Sequence, residues 1–220
     1  MAAVPSGGRN PLTDESTPRR PTPLSRDEVV RVTRRMLQDS DFESVSLRRV
    51  AAQLGVTAPA LYAHVENKVD LLKAVSAQAF SELDAQFEAV VTDDPIERLK
   101  ENARRYVRCA IAEPETFTVM FNFRPGEVPP GTPEGVERYS EVPLEQSEVA
   151  IRDATAQGLI HPERDPEVTA LTLWNCAHGV TSILLIGRHG EELLDAEEAI
   201  ALLDEVHSVV FPGLALPPSK

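Results

Sequence analysis

Hydrophobic residues recur at helical spacing along most of the 220-residue chain. Near the N-terminus Val29, Val32 and Met36 lie three and four residues apart, and an S-x-x-E capping box begins at Ser25. This pattern predicts a first helix that starts after Ser25 and ends near Asp41.

Two short helices are predicted next, with a glycine turn between them. The second helix runs from its cap, Ser46, to Leu54, and Gly55 follows as the residue best suited to a left-handed helix stop. The third helix is expected to begin after Thr57, which would cap it, and to end near His64.

The rest of the chain is predicted to be helical and to be divided by proline and glycine. Asn67 caps a fourth helix, and five more are expected at about residues 95–113, 115–123, 136–157, 165–187 and 195–210. No strand pattern competes with them, so the sequence predicts an all-α fold with about nine helices. Residues 24–68 are expected to form a three-helix head, and residues 69–220 a larger helical body.

Composition sets the first residues apart from both units. Residues 1–23 contain five prolines and no aromatic residue. Such a segment cannot bury enough surface to offset the entropy of ordering, so a disordered arm is predicted. Its arginines, Arg9, Arg19 and Arg20, either reach a phosphate or a minor groove or stay solvated in the tail.

The net charge of −13 argues at first against a nucleic-acid partner. The charge is uneven, however: residues 1–68 carry ten Lys and Arg against eight Asp and Glu, whereas residues 69–220 carry twelve against twenty-seven. Because salt screens exposed charges beyond about 8–10 Å, a weakly basic head can touch DNA while an acidic body is held away from it. The lack of an uninterrupted apolar run of about 18 residues predicts a soluble, cytoplasmic protein with no membrane partner.

Catalytic and metal-binding patterns are not found in the sequence. It has no Gly-rich phosphate loop, G-x-S-x-G motif, zinc pattern or carboxylate pair in an apolar segment. Cys176 and His178 suggest a metal site only weakly, because residues two apart on a helix point to nearly opposite sides. We therefore expect no cofactor, no metal and no enzymatic activity.

Residues 46–64 have the features of a helix-turn-helix, the motif whose second helix enters the major groove of DNA. Ala51 is small where the two helices cross, Gly55 supplies the turn, and Val56 and Leu61 fill the wedge between the helices. Pro59 falls in the first turn of the second helix, where its missing N–H is harmless. A helix, a glycine turn and a second helix also occur in proteins that bind no DNA, so the residues that follow decide the interpretation.

Those residues complete a longer motif: Leu54-Gly55-Val56, Leu61-Tyr62, His64-Val65, Lys68 and Leu71-Leu72. Over about residues 25–80 this resembles the head of the tetracycline-repressor (TetR) family, whose pattern is L-G-V-x-x-x-x-L-Y-x-H-[VF]-x-x-K-x-x-L-L. The resemblance implies a small DNA-binding head joined by the fourth helix to a body that dimerises and holds an effector.

By the same resemblance, nine residues of the head contact operator DNA. Those expected at the sugar-phosphate backbone are Ser46, Thr57, Tyr62, His64 and Lys68, and those expected to face bases are Arg48, Ala58, Pro59 and Ala60. A lysine in the first turn of a helix suits a phosphate, and an arginine can bind guanine bidentately. The alternatives are a solvated face for Arg48 and a packing role for Tyr62. Alanine can touch only a thymine methyl, so readout is expected to rest on Arg48, Tyr62, DNA shape and the arm.

Two stretches of the body resemble one effector-domain branch of the family. They are residues 106–121 and the signature Trp174-x-x-x-His178-Gly179. An unidentified apolar or aromatic effector is expected against residues of three helices: Tyr106, Phe117, Met120, Phe121, Trp174 and His178. The alternatives are plain core packing for Trp174, Phe117, Met120 and Phe121, and a hydrogen-bonded buried histidine for His178.

The last two helices predict a homodimer. The penultimate helix is apolar nearly all round from Val168 to Ile186, so it must be covered on more than one side. The seam is expected to contain Ile183, Leu184, Leu202, Leu203, Val206 and Val210. The sequence thus predicts an effector-gated dimeric repressor; the alternative is an effector-independent or architectural DNA-binding protein, whose body would lack a cavity of about 300 Å³ or more.

Overall fold

A computed structural model describes residues 23–121, 142–186 and 195–218. Over these residues the chain forms nine α-helices and no strand, which confirms the predicted all-α class. The helices are α1 (Arg26–Gln38), α2 (Leu47–Leu54), α3 (Ala58–Tyr62), α4 (Lys68–Glu88), α5 (Pro95–Ala112), α6 (Pro114–Phe121), α7 (Val142–Ala156), α8 (Pro166–Ile186) and α9 (Ala196–Leu214). A 3-10 turn (Phe42–Ser44) lies between α1 and α2. The predicted arm falls outside the described residues, apart from residue 23.

Polar side chains begin the helices of the head as predicted. The side-chain oxygens of Ser25, Ser46 and Asn67 each accept a hydrogen bond from the backbone N–H three residues later, at 3.2, 3.3 and 2.9 Å. Each bond satisfies an N–H group that a helix start otherwise leaves unpaired.

Thr57 departs from this pattern. It occupies the N-cap position of α3, but its side chain makes no capping hydrogen bond. A cap normally accepts from the second or third residue of the helix, and here the second is Pro59, which has no N–H. The expectation that the Thr57 hydroxyl caps the recognition helix is therefore wrong.

Several helix ends differ from the predicted bounds. α3 ends at Tyr62 rather than near His64, and α6 starts at Pro114, whose ring suits the first helical position. α9 continues beyond Val210 to Leu214 with Pro212 inside its last turn. Residues 122–123, 136–141 and 187, which the predicted helices included, lie outside the described part of the chain.

The head is built on a hydrophobic cluster that extends beyond its own three helices. Its fully buried members include Val29, Val50 and Leu61 from α1 to α3. The same cluster takes in Leu71, Leu72 and Val75 of α4 and Val119 of α6. Two later helices thus share the core of the head, and the domain division at residue 68 stays a prediction.

The body has two clusters of its own. One joins the second half of α4 with α5, α6, α8 and α9 around Tyr106 and Phe117, and the other joins α5, α7, α8 and α9 around Ile151 and Ile160. α5, α8 and α9 contribute to both, so these three helices connect the two clusters.

α8 is the one helix among the described residues that is long and apolar enough to cross a membrane, with a mean hydropathy of 1.3 over Pro166–Leu185. Central helices of soluble proteins have the same property, and α8 packs against α5, α7 and α9. Only 39% of its most apolar stretch is buried, however. The other positions of this stretch are half-buried or exposed, and the exposed ones include Val168, Leu171 and Ile183.

Candidate nucleic-acid interface and ligand site

Gly55 sets the angle between α2 and α3. Its φ is +66°, in the left-handed region that favours glycine, and its N–H donates to Ala52 O at 3.1 Å. The next N–H, of Val56, donates to Ala51 O at 3.0 Å. The chain therefore leaves α2 in a tight turn and enters α3 within three residues.

α3 divides into a buried anchor and an exposed face. Leu61 has no exposed surface and holds the helix against the head core. The predicted base-facing residues Ala58, Pro59 and Ala60 are exposed, and Tyr62 is 56% exposed. α3 thus presents short side chains and one tyrosine ring to solvent, which is the surface that a recognition helix offers to a groove.

The other predicted DNA contacts lie at helix starts, except His64, which lies between α3 and α4. Arg48 in the first turn of α2 is exposed, whereas Ser46 and His64 are half-buried. Lys68 is the first residue of α4, and its Nζ donates to Glu43 O at 2.9 Å. An ammonium has three donors, so two remain for a phosphate at this helix start.

An ion pair that the sequence analysis missed joins the first turn of α1 to the first turn of α4. The Arg26 guanidinium donates to both carboxylate oxygens of Asp70, at 2.7 and 3.1 Å, and to His64 O at 2.6 Å. Asp70 also accepts from the backbone N–H of Glu66 at 2.9 Å. Burial alone would raise the pKa of Asp70, but these hydrogen bonds lower it, so the carboxylate stays charged and fixes the segment between α3 and α4.

The six residues predicted to bind an effector meet in one aromatic cluster. Trp174 stacks on His178 with ring centroids 5.0 Å apart, and Phe121 meets the His178 ring edge-on at 4.9 Å. A 2.7 Å hydrogen bond joins Tyr106 Oη and His178 Nδ1. Phe117, centred 5.2 Å from Tyr106, and Met120 complete the set.

Both polar groups of this cluster are held neutral. Burial raises the pKa of the Tyr106 hydroxyl and lowers the pKa of His178. Among the described residues, no group of three His, Cys, Asp or Glu side chains could hold a metal ion. The cluster is therefore mainly apolar and uncharged.

A cavity lies beside this cluster, among α5, α7, α8 and α9. Its volume is about 30 Å³, far below the 300 Å³ expected for a preformed effector pocket. Tyr106 and Trp174 line it, together with Asn102, His207 and Phe211, which the sequence analysis missed. A larger groove of about 520 Å³ opens between α5 and α9, but none of the six predicted effector residues lines it.

Burial dominates the electrostatics of His207, which is 2% exposed. It lowers the pKa of the imidazole to about 4, while Asp204 and Glu97 raise it and Arg104 and Lys100 lower it by smaller amounts. His207 is therefore neutral at pH 7. The sequence could have indicated that His207 is buried, because the residue lies on the apolar face of α9.

α6 connects the head to the aromatic cluster. Arg34 of α1 donates to both carboxylate oxygens of Glu113, immediately before α6, at 2.7 and 3.0 Å, and pairs with Glu82 of α4 at 2.7 Å. The Glu115 carboxylate accepts from the backbone N–H of Phe42 at 3.2 Å. Because Phe117, Met120 and Phe121 extend from the same helix into the cluster, a shift of α6 would change contacts in both the head and the aromatic cluster.

The predicted dimer seam requires a correction. Leu203 has no exposed surface, because it lies in its own protomer's core, and Leu184 is only 8% exposed. The prediction is wrong for Leu203, since periodicity identifies an apolar face without telling what covers it. Leu202, Val206 and Val210 are half-buried, and Ile183 is 42% exposed.

An exposed stripe runs along one face of α8. Positions 168, 171, 175, 179 and 183 are all exposed and lie three or four residues apart, so they share one face. Val168 and Leu171 are 62% and 44% exposed, and Val209 of the neighbouring α9 is 71% exposed. The stripe passes Gly179, where a second helix backbone can approach closely.

Comparison with protein families gives two matches that together cover most of the chain. Residues 29–75 match the model described as bacterial regulatory proteins, tetR family. Residues 99–205 match the model described as tetracyclin repressor-like, C-terminal domain. The Trp-x-x-x-His-Gly branch stays a prediction.

Known proteins show the same likeness. The chain is 34% identical over 103 residues to the tetracycline repressor protein class C of Escherichia coli, which covers 46% of this chain and 47% of that protein. The matches to curated relatives thus span about half of their length. A protein of unknown function from Rhodococcus sp. RHA1 shares the fold, with a TM-score of 0.71, 22% identity and coverage of 87% and 95% of the two chains. AibR in complex with isovaleryl coenzyme A and operator DNA has a TM-score of 0.60, 21% identity and coverage of 85% and 98%.

Proposed function

The chain belongs to the tetR family of bacterial regulatory proteins, and on that premise we propose that it is an effector-gated dimeric repressor of transcription. It binds double-stranded operator DNA through α2, α3 and the start of α4. A small molecule that binds in the body causes the protein to release the operator. Such a regulator acts on the bacterial chromosome, which places it in the cytoplasm.

The exposed face of α3 is the observation that carries the DNA-binding proposal. α3 is anchored by Leu61, and the turn at Gly55 separates it from α2. It carries no long side chain at residues 58–60, so it can enter a major groove closely. Arg48 is free to read guanine, and the alanines are limited to thymine methyl groups. The phosphates around the groove are then contacted by Ser46, Thr57, Tyr62, His64 and Lys68.

The exposed stripe of α8 supports a two-fold dimer. Apolar side chains at positions 168, 171 and 183 would be covered by the same stripe of a second copy, and the neighbouring α9 would add exposed Val209 and half-buried Leu202 and Val206. Two heads related by a two-fold axis suit half-sites about one helical turn of DNA apart.

Gating is proposed to run through α6. An apolar or aromatic effector that enters among Tyr106, Phe121, Trp174 and His178 must displace packed rings, and three of the cluster's residues belong to α6. α6 is tied to the head by Glu113, Glu115 and Val119. An effector that prefers the displaced state shifts the heads away from the DNA-binding arrangement by its difference in affinity for the two states.

The small cavity favours one alternative, an effector-independent or architectural DNA-binding protein. A volume of about 30 Å³ holds no drug-sized molecule without movement of the walls. Such a protein would bind DNA with the same affinity in the presence of any metabolite, whereas a gated repressor would be released by one of them.

Selection of DNA by the purified protein tests the proposal. A gated or ungated regulator enriches fragments that share a two-fold symmetric site with half-sites about one turn apart. Lys68→Ala should reduce the recovery of all fragments alike, because a phosphate contact carries no sequence information, whereas Arg152→Ala, a change at an exposed arginine of α7, should recover them like the wild type. Recovery of fragments with no common site would contradict sequence-specific regulation.

A further inference from the structure

We propose that the cavity among α5, α7, α8 and α9 binds the hydroxyl group of an uncharged, mainly apolar effector through Asn102 and His207. This assignment rests on the proposed effector-gated function. It names the chemical class of the effector and two side chains that recognise it.

Two residues that line the cavity each carry a buried polar atom with no hydrogen-bond partner among the described residues. The two atoms are Asn102 Oδ1 on α5 and His207 Nδ1 on α9. Asn102 is 4% exposed and His207 is 2% exposed, so bulk water does not reach either side chain freely. Buried polar groups are nearly always paired, and an unpaired one costs free energy until a partner arrives.

A hydroxyl group matches this pair of atoms. Asn102 Oδ1 can only accept a hydrogen bond, so the ligand must supply a donor to it. His207 Nδ1 donates or accepts according to its tautomer, and a hydroxyl, with one donor and two acceptor lone pairs, offers a complementary group to each of the two atoms.

The cavity selects against charge. No Asp, Glu, Lys or Arg side chain of the described residues lines it, and burial lowers the pKa of His207 to about 4, so the imidazole is neutral at pH 7. A carboxylate or an ammonium would lose its hydration here without a counter-charge in the lining, because Asp204, Glu97, Arg104 and Lys100 act on His207 from outside it. The ligand is therefore neutral at the end that enters the cavity.

The size of the cavity determines where the rest of the ligand lies. About 30 Å³ accepts a hydroxyl end but not a ring or an alkyl chain. The apolar remainder must push aside the aromatic walls, Trp174 and Phe211. Trp174 lies 6.2 Å from Phe121 of α6, between ring centroids, so occupancy of the cavity is transmitted to the helix that contacts the head.

Phenol and toluene test the assignment because they differ by a hydroxyl in place of a methyl group. Their binding is followed by the emission of Trp174, the only tryptophan of the chain and part of the cavity wall. Benzoate serves as the charged probe. Asn102→Leu keeps the size of the side chain and removes the acceptor, and Asn175→Leu, on the exposed face of α8, is the matched control.

We expect Asn102→Leu to weaken phenol about tenfold relative to toluene, the loss of one buried hydrogen bond, and Asn175→Leu to leave the ratio of the two affinities unchanged. Asn102→Leu should also raise the melting temperature of the ligand-free protein, because it removes an unpaired polar atom; a purely structural asparagine would lower it. If Asn102→Leu does not fold, His207→Leu provides the same comparison.

Three results would overturn the assignment: an unchanged phenol-to-toluene ratio in the variant, benzoate binding as tightly as phenol, or no binding of either neutral probe at millimolar concentration. The assay contains no DNA. Its failure therefore removes this ligand site and leaves the DNA-binding proposal to be judged by operator binding.

Discussion

Arg34 provides the sharpest prediction about how the head is held on the body. Arg34→Gln removes the bidentate pair with Glu113 and the single pair with Glu82 while keeping a long polar side chain in α1. The Arg34 and Glu113 side chains are only 16% and 23% exposed, whereas Glu82 is 47% exposed. The two pairs therefore differ in strength.

The magnitude follows from that difference in exposure. Hydrogen bonds to charged groups contribute about 1.5–3 kcal/mol when shielded from water, and an exposed ion pair about 0.2–1 kcal/mol. We discount the first value because Glu113 keeps some contact with water and can be rehydrated. Arg34→Gln should then lower the free energy of unfolding by about 2 kcal/mol.

Urea unfolding followed by circular dichroism measures this loss. The control is Arg152→Gln, whose partner Glu148 lies four residues away on α7; this pair, with Arg152 57% exposed, should contribute only about 0.3–0.5 kcal/mol. The double variant Arg34→Gln with Glu113→Gln should be less destabilised than the sum of the single variants, because the two residues act as a pair. Equal small losses for Arg34→Gln and Arg152→Gln would refute the idea of a head–body clamp.

Three further predictions address DNA binding, assembly and pH. Lys68→Ala should reduce the log–log salt slope of operator binding by about 0.9, the loss of one phosphate contact, in a titration by fluorescence anisotropy; an unchanged slope contradicts the contact. Ile183→Asp should give monomers in sedimentation velocity, whereas Leu159→Asp, also 42% exposed but outside the α8 stripe, should stay dimeric; the reverse result excludes the seam. The stability that neutral His207 contributes is complete above its ordinary pKa of 6.5 and is lost as the pH falls toward 4. Between pH 7 and pH 5 the free energy of unfolding should therefore fall by about 2 kcal/mol more in the wild type than in His207→Leu. Equal losses in the two proteins would contradict the lowered pKa.

Local patterns in the sequence predicted the helices and the head motif well. Helix caps such as Ser46 and Asn67 act within three residues, and the left-handed Gly55 follows from the chemistry of a single position. The convergence of Tyr106 with Trp174 and His178 was also predictable, because each lies on the apolar face of a long helix and the family resemblance places those helices together.

Long-range partners could not be predicted in this way. Arg26 and Asp70 are 44 residues apart, and Arg34 and Glu113 are 79 residues apart, so no periodicity connects them. Leu203 was assigned to the seam because an apolar stripe does not reveal whether its own protomer or a second copy covers it. Asn102 and His207 could have been found by asking which polar residues occupy core positions of otherwise apolar helix faces.

The exposed face of α3 offers the most direct test of the central claim. Ala60 is exposed and outside every hydrophobic cluster, so Ala60→Glu should leave the free energy of unfolding nearly unchanged while placing a carboxylate against the DNA phosphates. Ala85→Glu, at an exposed position of α4, is the matched control. In anisotropy titrations with the selected operator at physiological salt, we expect Ala60→Glu to abolish specific binding and Ala85→Glu to bind like the wild type. Wild-type affinity in folded Ala60→Glu would contradict the proposal that this chain reads DNA with α3.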